Sequence, residues 1–291
     1  MTKEADFVKL GNKIIAKPAG LDYNLENEKV YNLKYDRFGV GSYFEEDGSL
    51  NLPDKLYFTE EDEKFINKVV KYHSLTTKQT TGVMLDGIKG TGKTVIAKVI
   101  AQRSKLPIIV VNADYPSNCL NDFFTKFKTE VAIIFDEVDK NWYTEDLLTW
   151  LDGVQATAKK LALFTCNDIC KTNEFLQDRC SRIRYSRHFE ANDNARFLKN
   201  IIKDKGIKDI EETYKFVIDN VKLLSIDNIN SFLDEKVMFP EFTNEELLFD
   251  MNISSCKIVK SENNENHTDE VCEVVEHCCD YDDEDYKDDW Y

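Results

Sequence analysis

Residues 82–100 read "GVMLDGIKGTGKTVIAKVI", an apolar run that ends in a glycine-rich stretch and passes straight into a helical pattern. Gly87, Ile88, Lys89, Gly90, Thr91, Gly92, Lys93 and Thr94 fit the phosphate-loop pattern G-x-x-x-x-G-K-[ST] in full. The residue types follow from the chemistry. Glycines let backbone N–H groups approach phosphate oxygens, and the N-terminus of the following helix adds partial positive charge. Lys93 is then expected to reach the β- and γ-phosphates and the Thr94 hydroxyl to hold Mg²⁺. A mere glycine-rich turn is the bland alternative. It explains neither the lysine–threonine pair nor the strand-to-helix setting.

That loop demands a strand before it and a helix after it, and the flanking sequence repeats the alternation. "GVMLD", "PIIVV", "VAIIFD", "LALFT" and "IRYSRHF" are short apolar runs, with "KTVIAKVIAQRS" and "TEDLLTWLDGVQ" between them. Apolar strands separated by helices predict an α/β domain, a parallel five-stranded sheet with helices on both faces, over 59–190. Residues 1–58 read as an N-terminal extension, with a short β-ribbon in the tyrosine-rich stretch 22–58, where "FGVG" and "EDGS" signal turns. Phe197, Leu198, Ile201 and Ile202 line one face of a helical pattern that opens a small helical lid over 191–251. Residues 252–291 are polar and acidic without sustained periodicity, the composition of a disordered tail.

Two further strand ends carry chemistry. "VAIIFDE" puts Asp136 and Glu137 at the close of a buried strand. Beside a phosphate loop, Asp136 is expected to support the Mg²⁺ from behind its direct ligands, and Glu137 to orient and polarise the attacking water. "LALFTCND" ends in Asn167. Parallel strands turn their carboxyl ends toward a common crevice, so Asn167 is expected beside the γ-phosphate or the lytic water. Read alone, it is equally a turn or cap residue.

Charge and length exclude other classes. The chain of 291 residues carries −16, but residues 261–291 hold −12 of it, with 13 acidic residues against one lysine. Overall charge therefore does not indicate a nucleic-acid partner, although a local basic patch stays open. No run of eighteen apolar residues occurs and "MTKEADFVKLGNK" has no apolar signal core, so a cytoplasmic protein with no membrane association is expected. The eight cysteines lack disulfide-scaffold spacing, in keeping with a reducing compartment.

In order and spacing, "GIKGTGKT", "IIFDE", "LLTWLDGV", "TCND" and "LQDRCSR" resemble the AAA+ ATPases, specifically the AAA clade proper, over about residues 55–240. Arg179 and Arg182 match that family's R-x-G-R pair, with Ser181 in place of glycine. The resemblance implies that both point into a neighbouring subunit's ATP site as arginine fingers, and hence a homo-oligomeric, hexameric ring that hydrolyses ATP with Mg²⁺. "VYNLKYD", "LPDKLY" and the compact helical end are similar to AAA-type ATPases encoded by large tailed bacteriophages, which implies work in a host cytoplasm.

The sequence departs from the family in places. The lid has no Gly-Ala-Arg motif; the comparable stretch is "LLSIDNINSF". The aromatic–aliphatic–Gly loop of polypeptide-threading members is missing, and Tyr115 is the only candidate for it. Trp142 and Tyr143 read either as packing or as a second substrate loop. The tail, ending "CCDYDDEDYKDDWY", reads either as a solubilising segment or as a docking peptide anchored by Tyr281, Tyr286, Trp290 and Tyr291. His267, Cys272, His277, Cys278 and Cys279 carry the side chains of a Zn²⁺ site, but at irregular spacing, and both readings stay open.

The expected function is ATP hydrolysis by a ring that remodels an unidentified protein substrate. The alternatives are a clamp-loader or helicase-loader ATPase acting at nucleic acid, and an ATP-switched scaffold. An intact Glu137 opposes the last.

Overall fold

The computed structural model describes residues 7–16, 23–77, 80–112, 114–126, 128–141, 147, 150–151, 159–172, 180–190 and 193–254. Trp142, Tyr143, Arg179 and the whole of 255–291, with its acidic aromatic end and its Cys/His set, lie outside the described residues.

The strands are β1 (Phe7–Leu10), β2 (Lys13–Ala16), β3 (Val30–Asp36), β4 (Gly41–Asp47), β5 (Thr80–Gly87), β6 (Ile108–Val111), β7 (Val131–Phe135), β8 (Lys160–Cys166) and β9 (Ile183–Phe189). They form one mixed sheet in the order β1-β2-β4-β3-β6-β7-β8-β5-β9. The stretch β6-β7-β8-β5-β9 is the expected set of five parallel strands. The sheet does not stop there. β3 pairs parallel with β6, Val30 to Ile108 through Leu33 to Val111, and β4, β2 and β1 follow antiparallel. The expected ribbon is thus the β3–β4 hairpin, but it extends the main sheet instead of standing apart from it. The reason lies in β6: "IIVV" is an apolar strand whose outer edge would otherwise present bare N–H and C=O groups, and β3 pairs with them.

Every residue of β5, β7 and β8 is buried, and the pleat sorts them onto two faces. Met84, Ile133, Phe135, Ala162 and Phe164 join a core with Phe123, Phe124, Trp150 and Leu151. Val83, Leu85, Ile134, Leu161 and Leu163 join another with Ile66 and Val69 of α1 (Glu60–Leu75) and with Ile96, Ala97 and Ile100 of α2 (Lys93–Arg103). α1 begins in a capping box: the Thr59 hydroxyl accepts from Asp62 N while the Asp62 carboxylate accepts from Thr59 N. Asp62 is 1% exposed and its charge is met by Arg187 Nη2 at 2.6 Å. Two short helices, α3 (Leu120–Phe124) and α4 (Val138–Asn141), flank β7 in sequence.

The N-terminal rim of the parallel strands holds a buried polar cluster. His73 of α1, 3% exposed, faces Thr81 Oγ1 through Nδ1 at 3.0 Å and Glu130 Oε1 through Nε2 at 3.1 Å. Lys159 Nζ donates to the His73 carbonyl at 2.8 Å and lies 3.2 Å from Glu130. Burial, seconded by the Lys159 charge, lowers the His73 pKa from 6.5 to about 4. The neighbouring Lys160 is buried too, and desolvation lowers its pKa to about 8.

After β9 the described residues form four helices, α5 (Ala195–Asp204), α6 (Ile210–Asn220), α7 (Ile226–Met238) and α8 (Asn244–Asp250). The face predicted from Phe197, Leu198, Ile201 and Ile202 packs with Val217, Phe232, Leu233 and Leu248 into a third core. Asn194 and Ile226 fasten this group to the glycine-rich loop. Ile226 N donates to the Gly90 carbonyl at 3.3 Å, and Asn194 Nδ2 donates to Gly90 O at 3.4 Å and to Leu224 O at 2.8 Å.

Candidate active site

The carboxyl ends of β5, β7 and β8 open onto a cleft of about 470 Å³. It is lined by the glycine-rich loop, by Glu137, Thr165 and Asn167, and by Leu56, Tyr57, Phe58, Phe197 and Ile226. A phosphate tail over the loop and an apolar ring between the walls is the ligand shape this arrangement accepts.

The loop has the backbone its glycines predict. Gly87 sits at φ 123°, where a Cβ would come within 2.1 Å of the Phe189 carbonyl, and Gly90 at φ 82°, where one would come within 2.6 Å of Ser225 Cβ. α2 starts from Gly92, and Lys93 Nζ donates to the carbonyls of Gly87 and Ile88, each at 2.7 Å. Burial lowers the Lys93 pKa. The Thr91 hydroxyl closes the loop by donating to Ile88 O at 2.7 Å. Ile88, 40% exposed, and Lys89 lie at the surface.

The strand-end residues meet in one network. Thr94 Oγ1 donates to Asp136 Oδ1 at 2.9 Å, joining residues that stand 42 positions apart. Asn167 Nδ2 donates to Glu137 Oε1 at 3.2 Å, and Asn167 N donates to Asp139 Oδ1 at 3.0 Å. Besides Asp139, two members were not singled out from sequence. Lys140 Nζ donates to Glu137 Oε2 at 2.6 Å, and the Thr165 hydroxyl lies between Asp136 and the Glu137 backbone. Lys140 first, and Asn167 after it, hold the Glu137 pKa below the usual carboxylate range. The i+3 spacing of Lys140 on the turn after Glu137 was the available signal.

The donor set near Thr94 suits a hard divalent cation. It is all oxygen, a hydroxyl backed by a carboxylate, and among the described residues no group of three His, Cys, Asp or Glu is arranged to hold a metal. Such a site matches Mg²⁺ taken up with a polyphosphate, where phosphates and waters supply most ligands.

Arg182, the member of the arginine pair among the described residues, does not line this cleft. Arg182, in the turn before β9, is 8% exposed, so it does not stand out from the surface as a finger reaching a neighbour would. Tyr115 is likewise no loop tip. It is 5% exposed, its hydroxyl is 2.7 Å from Ser42 Oγ, and its ring meets Tyr35 edge-on. The β3–β4 hairpin has taken it into the core, which removes it as a threading aromatic.

Residues 83–188 match the model of the family described as "ATPase family associated with various cellular activities (AAA)". Among curated proteins, the chain is 31% identical over 101 residues to an ATP-dependent zinc metalloprotease FtsH of Lachnoclostridium phytofermentans, a match covering 35% of this chain and 16% of that protein. It is 34% identical over 135 residues to the chloroplastic ATP-dependent zinc metalloprotease FTSH 7 of Arabidopsis thaliana, covering 37% and 17%. The chain thus spans about a sixth of the length of these relatives. Among solved structures, one from work on the structural basis of katanin self-assembly aligns at TM-score 0.47 and 15% identity over 68% of this chain and 74% of that one. The AAA domain of FIGL-1 aligns at 0.45 and 16%, over 63% and 70%. The fold is that of an AAA+ P-loop NTPase, and residues 83–188 are an AAA-family ATPase domain.

Proposed function

We propose that this AAA ATPase domain works in a homo-oligomeric, hexameric ring that hydrolyses ATP with Mg²⁺ and uses the cycle to remodel a protein partner. The observation that carries the reading is the juxtaposition of the Thr94–Asp136 hydroxyl–carboxylate bond with the Glu137–Asn167 pair at neighbouring strand ends, above the glycine-rich loop. In this reading Gly87 to Thr94 cradle the phosphates, and Lys93 leaves its loop carbonyls for the phosphate charge. Thr94 and Asp136 hold Mg²⁺, which when bound offsets charge on the β- and γ-phosphates. Glu137 takes a proton from the attacking water that Asn167 helps to orient. Water oxygen bonds to the γ-phosphorus as the bond to the β–γ bridging oxygen breaks, leaving ADP and phosphate.

Arg179 of an adjacent subunit is assigned the trans contact to the γ-phosphate. Arg182, being buried, is assigned to holding that turn. The metalloprotease relatives lend the proposal their ATP dependence alone. A remodelling factor of the kind encoded by large tailed bacteriophages, acting in the host cytoplasm, is the most specific form of the reading.

The test is steady-state phosphate release by the full chain and by Glu137→Gln, with fluorescent ATP binding measured in parallel. The variant should bind nucleotide like wild type and turn over at least about a hundredfold more slowly, the scale of a general base. Equal turnover by the two proteins removes Glu137 from its role. Stimulation of the wild type by single-stranded or duplex DNA, but by no protein, selects the loader alternative.

A further inference from the structure

We infer that Thr165 is a positioning residue for ATP hydrolysis, holding the metal-side carboxylate and the backbone of the general base in one frame; the inference rests on the proposed function above. Thr165 lies on β8 next to Leu85 of β5 and is 1% exposed, so its hydroxyl must find its partners inside the protein. It has two. Oγ1 is 2.6 Å from Asp136 Oδ1 and 2.8 Å from Glu137 N. The directions are settled by proton count. An amide N–H can only donate, so the hydroxyl accepts from Glu137 and spends its single proton on Asp136.

This bridge acts on both working carboxylates at once. Asp136 Oδ1 receives Thr94 and Thr165 together, which fixes the oxygen that stands behind the cation site. Glu137 sits at φ 52°, in the left-handed region that a residue with a Cβ occupies only at a cost. The turn into α4 accounts for its carbonyl, which accepts from Lys140 N at 3.1 Å. The described hydrogen bond from its N–H runs to Thr165, 28 positions away in sequence. The Glu137 carboxylate accepts from Lys140 Nζ at 2.6 Å and from Asn167 Nδ2 at 3.2 Å, and Asn167 follows β8 two residues after Thr165. Losing the hydroxyl therefore frees the Glu137 N–H, releases the left-handed turn, and lets the base drift from the water it must polarise. Neither Lys93 nor the glycine backbone is touched, so nucleotide binding without Mg²⁺ has no reason to follow.

The experiment compares wild type, Thr165→Val and Thr165→Ser as full-length chains. Valine keeps the branched shape and strand preference without the hydroxyl; serine keeps the hydroxyl without the methyl. Three quantities are read: kcat and KM for ATP, affinity for a fluorescent ATP analogue with and without Mg²⁺, and the thermal unfolding midpoint. Thr165→Val should fold, bind the analogue with near wild-type affinity in the absence of Mg²⁺, and lose roughly tenfold to a hundredfold in kcat, the worth of a hydrogen bond to a charged group. Thr165→Ser should recover most of that loss. Wild-type kcat in Thr165→Val, while the wild type itself turns over and Glu137→Gln does not, overturns the inference and leaves the proposed function standing. Parallel loss of kcat, affinity and thermal midpoint in both variants also overturns it, since that pattern belongs to packing. A wild-type chain that binds the analogue and never hydrolyses ATP overturns the proposed function and this inference with it.

Discussion

His73 gives a stability prediction whose size follows from its surroundings. Its ring is enclosed between Thr81 and Glu130, with Lys159 bonded to its own carbonyl. Burial and the Lys159 charge together lower its pKa from 6.5 to about 4. A histidine with a depressed folded pKa binds a proton more readily when the chain unfolds. Its contribution is therefore complete above about pH 6.5 and disappears as the pH falls through 4. The shift is worth roughly 3 kcal/mol in all, of which about 2 kcal/mol is lost between pH 7 and pH 5. Other carboxylates also titrate in that range, so the informative quantity is a difference between proteins. His73→Gln keeps an amide donor and acceptor near Thr81 and Glu130 but cannot take up a proton. Urea unfolding of both proteins at pH 7 and pH 5 should show the wild type losing about 2 kcal/mol more than His73→Gln. Equal losses would mean that His73 already carries its proton at pH 7 or exchanges with water, and the reasoning from burial would fail.

Three further outcomes follow from the same geometry. Gly90→Ala should cost more nucleotide affinity than Gly92→Ala, by calorimetric titration. Both glycines have positive φ, but only at Gly90 does the new methyl meet a neighbour, Ser225 Cβ at 2.6 Å, while the space at Gly92 is open. Tyr115→Phe should lower stability by about 1 kcal/mol through the lost bond to Ser42 and leave ATP turnover unchanged; a loss of partner-stimulated turnover would return Tyr115 to a substrate-contacting role. Arg179→Ala should bind ATP yet hydrolyse it poorly, and mixing it with Lys93→Ala should restore part of the activity. A turnover per chain that is independent of protein concentration would contradict a trans contact.

The parts of the site legible in the sequence were those whose chemistry is local. Gly87 to Thr94 declare themselves because a phosphate loop needs its residues consecutive, and Asp136, Glu137 and Asn167 because each closes an apolar run. Thr165 escaped notice because threonine in a strand is ordinary, and its hydroxyl acquires meaning only when β7 and β8 pair and bring Asp136 beside it. The extent of the sheet was hidden for a related reason. "VYNLKYD" has the alternation of a hairpin strand, and nothing in its pattern announces a parallel register with β6, more than seventy residues downstream. Arg182 and Tyr115 were candidates through the family resemblance, and nothing in the sequence showed that both side chains would be buried.

Strand β9 begins one residue after Arg182 and ends at Phe189, whose carbonyl accepts from Ile88 N at 3.0 Å and leaves no room for a side chain on Gly87. A hydrogen-bonded strand neither stretches nor compresses appreciably, and β9 is clamped along β5 for most of its length. The turn that carries Arg182 and the first turn of the phosphate loop therefore lie at opposite ends of one strand, whose register with β5 shifts once, between Gly82 and Val83. A substitution that shifts the Arg182 turn is expected to be felt at Gly87 and Ile88, through the Phe189 carbonyl.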